Sequence, residues 1–170
     1  MLFRSILSTT LGGSLTLITA GDELRLRSAS LGGSATLASS THIRLGTLGT
    51  GNAATLTAGS DLTGLAGTST GTSNTAFGRA AIDSATAISA VAGGLVQLGS
   101  ATAGTGLTVT AGSGTSDGSI DVSTAQAGGA LTLTATAIAP LGDAAHDGDI
   151  LIGTASAGTM LLVRDRKSVV

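Results

Sequence analysis

The chain has 170 residues and a net charge of −2, with 11% charged and 42% hydrophobic residues. That balance excludes a disordered chain, which carries more charge and less apolar content. With no Cys, Trp or Tyr and only two Phe, it also excludes a disulfide-stapled domain and a core of ordinary large side chains. Gly, Ala, Ser and Thr make up about three-fifths of the residues, far above their usual share, and this suits a narrow aliphatic core with Gly-rich corners.

In chain order, Met1 to Leu11 shows no repeat and is read as a non-repeat N-terminal end. It contains no apolar stretch long enough for a secretory h-region. Nothing in the chain approaches the ~20 apolar residues of a membrane span. From Gly12 to Leu65 one pattern is spoken three times: Leu15 and Leu17 return as Ala35 and Leu37, then as Ala54 and Leu56. Leu24 returns as Ile43 and Leu62, and Leu26 as Leu45. Alternation of apolar and polar residues marks strands with one buried face. Two such strands cannot bury that face alone, but stacked copies can. The pattern predicts an all-β parallel β-solenoid with coils of about 19–20 residues. Leu17, Leu37 and Leu56 form one inward column, and Leu24, Ile43 and Leu62 another.

Residues 64–79 lose the alternation and are read as a loop or lateral insertion. Periodicity then resumes. Ile88 and Ala90 map onto Leu107 and Val109, and Leu131 and Leu133 onto Ile150 and Ile152, each at a spacing of nineteen. The solenoid is thus assigned to residues 12–163. Residues 164–170, RDRKSVV, form a basic non-repeat tail. Both ends break off mid-pattern without an atypical capping repeat. This predicts a piece of a longer rod whose strand edges invite end-to-end self-association.

The runs GGSLTLITAGDELRLRS and GNAATLTAGSDLTG resemble the repeats of filamentous haemagglutinin-like adhesins, the two-partner secretion proteins of Gram-negative bacteria. The resemblance covers Gly12 to Leu65 well and Ile88 to Leu162 more weakly. It implies a right-handed parallel β-helix serving as a non-enzymatic shaft, secreted through an outer-membrane two-partner transporter to the cell surface. The full-length protein would meet host or bacterial receptors or glycans.

Candidate sites are few. From Ala80 to Val163 there is no Lys or Arg, while six Asp fall there, so no nucleic-acid partner is expected. Only His42 and His146 are available as bases, no nucleophile elbow precedes a helix, and no Gly-rich string ends in Gly-Lys-Ser/Thr. No catalytic or cofactor-binding residue is assigned. Asp143, Asp147 and Asp149, in LGDAAHDGDILIG, supply oxygen ligands of the kind calcium takes, although Asp-Gly is also ordinary turn vocabulary. Counting by nineteen, Glu23, His42 and Asp61 form an outward column, a donor set of the kind a weak zinc site uses. Arg25 and Arg44 stack beside it, which favours a plain charge ladder. Outward Thr pairs such as Thr108/Thr110 and Thr132/Thr134 raise an ice-binding alternative. Arg25 and Arg44, interleaved with Thr16, Thr36 and Thr55 in the sequence, place charge beside the Thr column and count against it.

Overall fold

A computed structural model describes residues 4–6, 8–21, 23–65, 79–112, 117–137 and 148–167. Among these residues every regular element is a strand: β1 (Arg4–Ile6), β2 (Thr9–Leu11), β3 (Leu15–Thr19), β4 (Leu24–Leu31), β5 (Ala35–Ser39), β6 (Ile43–Thr50), β7 (Ala54–Ala58), β8 (Leu62–Gly64), β9 (Ala80–Ser84), β10 (Ile88–Ala92), β11 (Val96–Ala103), β12 (Leu107–Ala111), β13 (Ile120–Ala127), β14 (Ala130–Ala137), β15 (Ile150–Ala157) and β16 (Met160–Lys167). They form two parallel sheets. Sheet B runs β3, β5, β7, β10, β12, β14, β16; sheet A runs β4, β6, β8 with β9, β11, β13, β15, with β1 and β2 added on β4. The chain lays a strand in B, turns, lays one in A, and returns one strand spacing, about 4.8 Å, further along. This is a parallel β-solenoid.

Inward side chains stack by type. Leu17, Leu37 and Leu56 are in register, and Leu37 and Leu56 are fully buried. Leu24, Ile43 and Leu62 stack likewise and continue through Val96, Ile120 and Ile150. Both expected columns are present. Since every coil adds the same aliphatic layers, the core never widens, and small residues suffice to fill it.

Each long sheet A strand breaks its alternation once. In β4 the buried residues are Leu24, Leu26, Ala29 and Leu31, so Arg27 and Ser28 both lie outside. The same double outward step occurs at Ser123–Thr124 in β13. Two consecutive outward residues require a bend, so sheet A presents two outer facets and each coil has three sides. We term them facet B, facet A1 (the first arm of sheet A) and facet A2 (the second). The bend is also where the insertion enters: β8 pairs with Ile43–Leu45 and β9 with Thr47–Thr50 of the same strand β6. The two short strands are the two arms of one interrupted strand. Residues 66–78, between them, lie outside the described residues.

Corners from A back to B are tight and stacked. A Cβ on Gly51 would lie 2.3 Å from the Gly32 carbonyl oxygen, and one on Gly104 would lie 2.0 Å from that of Ala85. Coils one strand spacing apart leave no room there for a side chain. Beside this corner the buried hydroxyls are satisfied: Thr50 Oγ1 donates to the Asn52 carbonyl at 2.8 Å and Ser84 Oγ to the Ala87 carbonyl at 3.1 Å.

Three expectations change. Residues of the supposed non-repeat N-terminal end pair in register with β4, Arg4 with Leu24 and Thr9 with Ala29. Those of the basic tail through Lys167 pair with β14. A parallel ladder is made by backbone groups, so a segment without the apolar signature still adds to it. Leu131 and Leu133 do not stack on Ile150 and Ile152. They lie in sheet B against Leu161 and Val163, while Ile150 and Ile152 lie in sheet A against Ile120 and Val122. Extra residues between β14 and β15 lengthen that coil, so the spacing of nineteen joins two different sheets.

Candidate functional site

On facet A1 the outward neighbours of the Leu24 column carry the charge. Arg25 and Arg44 are paired one coil apart, a like-charge contact that Glu23 resolves by taking both. Its Oε2 accepts from Arg25 Nη2 at 3.0 Å, and its Oε1 contacts Arg44 Nε. Burial alone would raise the Glu23 carboxyl. The hydrogen bond from Arg25 and the field of Arg44 outweigh it and hold the group below its ordinary value. The same carboxylate raises Arg25, already a cation at neutral pH.

Asp61 is turned to other work. Its Oδ1 accepts the Leu95 backbone N–H at 2.8 Å, fastening the next corner, and its Oδ2 lies 3.2 Å from His42 Nδ1. Glu23, His42 and Asp61 do share a column, since the His42 carbonyl accepts from Leu24 and the Asp61 carbonyl from Ile43. They are nevertheless divided, Glu23 turning to the two arginines and Asp61 to His42. Among the described residues no three His, Cys, Asp or Glu side chains are grouped to hold a metal ion, and the weak zinc set is not assembled. Of the calcium candidates, Asp143 and Asp147 lie outside the described residues. Asp149 leads into β15, its carbonyl accepting the Ile120 N–H at 2.9 Å.

Further along, Arg79 reaches across β11 to β13. Nη1 and Nη2 grip the two Asp121 oxygens at 2.7 Å each, and Nη1 also reaches Ser123 Oγ at 3.0 Å. Gln97 Nε2 approaches Asp121 Oδ2 at 3.3 Å. Gly99 lies beneath this bridge; a Cβ there would meet Arg79 Cβ at 3.2 Å. The fork-to-fork pair pins the point where the chain re-enters after residues 66–78. Sequence reading missed it because partners 42 residues apart become neighbours only once β8 and β9 are seen to be the two arms of one strand. The one available signal was Arg79 standing as the last cation before an acidic half.

Facet A2 holds a shallow depression of about 370 Å³. Thr47, Gly49, Ala81, Asp83, Ser100 and Thr102 are among the residues that line it. Facet B is different in kind. One outward rank runs Thr16, Thr36, Thr55, Ser89, Thr108, Thr132, and the next Ile18, Ala38, Thr57, Val91, Thr110, Thr134, in unbroken register. Arg25 and Arg44 belong to β4 and β6 of sheet A. The charge expected beside the Thr column is therefore on another side of the rod. No family model, curated protein or solved structure matches the chain.

Proposed function

We propose that the chain is a shaft segment of a secreted, surface-attached adhesin of the filamentous haemagglutinin-like kind, non-enzymatic, whose task is to span distance. The observation that carries this reading is the continuity of both ladders. Inward columns pass from coil to coil from β3 and β4 through β14 and β15, although three coils carry extra residues. A rod that keeps its axis through such additions separates a distal binding region from its anchor. The charge on facet A1 and the depression on facet A2 offer places for receptors or glycans, and the apolar layers of the outermost described coils, where Leu161 and Val163 are half-exposed, offer a surface for axial stacking on further coils or on another copy.

The test is export and display. The chain is fused behind a two-partner secretion domain, with a protease-cleavable tag at its far end, and produced in a Gram-negative host with and without the cognate transporter. Surface accessibility of the tag that depends on the transporter supports the reading. A tag retained inside with the transporter present, or turnover of a polysaccharide by the purified chain, rejects it.

A further inference from the structure

Facet B is regular in register and neutral over six consecutive strands of its sheet. β3, β5, β7, β10, β12 and β14 contain no Asp, Glu, Lys, Arg or His. The first outward rank is hydroxyl-bearing at all six positions, five Thr and Ser89; the second mixes Thr57, Thr110 and Thr134 with the aliphatic Ile18, Ala38 and Val91. Ile18 is 65% and Val91 37% exposed, so apolar groups reach solvent on the same face as the hydroxyls. Within a rank the repeat is the inter-strand spacing, about 4.8 Å, and between ranks two strand residues, about 6.7 Å. β-Branched side chains have restricted χ1 angles, so most of the array is ordered before anything binds.

A ligand for such a face must be uncharged, periodic in two dimensions and satisfied by hydroxyls with methyl groups between them. The face has no ring to stack on a sugar, no amide or carboxylate to read one, and no cation for phosphate or a lipid headgroup. A second copy is a poor fit in area. The face measures about 400 Å² on these spacings, half of the ~800 Å² each partner contributes to a stable complex. The oxygen rows of hexagonal ice repeat at distances close to both spacings. Hydroxyls at that pitch take places in the water lattice while the methyl groups order water between them. We propose that facet B is an ice-binding surface, with Thr16, Thr36, Thr55, Ser89, Thr108 and Thr132 as its principal rank. This stands independently of the shaft reading, since it depends on the side of the rod and not on its anchor.

The experiment is partition into ice. The purified, fluorescently labelled chain is stirred against a slowly growing seeded ice front beside a globular control protein. Thr108→Arg and Thr55→Arg place a charge in the rank, and Thr124→Arg places the same charge on facet A2. Circular dichroism selects the variants that keep the β-sheet spectrum. Enrichment in ice at least tenfold over the control, lost in either facet B variant and kept in Thr124→Arg, is the expected result. Exclusion of the folded wild-type chain from ice overturns the proposal, as does equal loss in Thr124→Arg. A wild-type dimer in sedimentation that Thr108→Arg dissolves, without ice enrichment, also overturns it and assigns the face to a second copy.

Discussion

Facet B and the two facets of sheet A share one core and differ in almost everything else. Facet B keeps β3 through β14 free of charge and uninterrupted; only β16 introduces Arg164 and Asp165. Sheet A carries Glu23, Arg25, Arg44, Arg79, Asp83 and Asp121, and one of its strands is cut in two by inserted residues. Longer connections occur on leaving sheet B, after β12 and after β14, whereas every corner from A back to B is two or three residues long. The fold constrains inward side chains and the stacked corner, and leaves the outward surface free. Uniformity on facet B is therefore not demanded by the ladder, since sheet A does without it.

The largest effect tests the shared core. Leu37→Asp in sheet B and Leu45→Asp in sheet A each place an unpaired charge where exposure is zero, and each should cost about 3–5 kcal/mol in chemical denaturation. A wild-type midpoint for either variant would show that the inward register fails on that sheet. Next comes the corner. Gly104→Val drives a side chain against the Ala85 carbonyl and should cost about 1–3 kcal/mol. Gly106→Ala, with its nearest neighbour at 3.9 Å, should change the melting temperature little. Equal effects would mean that the tight corner yields.

Smaller effects separate the outer faces. Arg79→Ala removes a bidentate pair whose partners are 38% and 21% exposed; solvent screening keeps the expected loss to about 0.5–1 kcal/mol. Thr110→Ala on facet B should be nearly silent in the same thermal melt. The smallest concerns pH. Glu23 is held below its ordinary value of 4.5, so the stability it contributes is present above that pH and is lost as pH falls through the lowered value. Glu23→Gln should be less stable than wild type at neutral pH by under about 1 kcal/mol and should converge with it in acid. A gap that persists in acid, once the carboxyl is protonated, would place the effect in packing.

The columns headed by Leu17 and Leu24 were legible because strand period and coil period act on the same residues. Leu15 and Ala35, or Leu24 and Ile43, differ in size but never in polarity. The second arm of sheet A was not legible. Ala29, Leu31 and Leu48 are inward, but a bend shifts them out of phase with Leu24 and Leu26, so alternation counted from the first arm places them outside. The mispairing of Leu131 with Ile150 has a similar origin, since both sheets use the same aliphatic vocabulary and an insertion can imitate a repeat. As for the sites, the Glu23–His42–Asp61 column was readable but its division was not, because that depends on which carboxylate meets an Arg and which meets a backbone N–H. Arg25 and Arg44 were assigned to the wrong side of the rod, since a sequence gives outwardness without saying toward which facet.

The interrupted strand has a consequence for building with this scaffold. β6 and β11 keep aligned registers on either side of the break, Ile43 reaching Val96 through Leu62 and Thr47 reaching Ser100 through Ala81, so the extra residues are absorbed at the bend with only a local irregularity at Gly99. A bend of the same kind recurs in the other coils, at Arg27–Ser28 and at Ser123–Thr124. Each is a natural splice point. A foreign peptide or small domain whose ends lie close together can be grafted there, one per coil, giving a row of cargo along a single edge at a pitch set by the backbone and by nothing in the cargo.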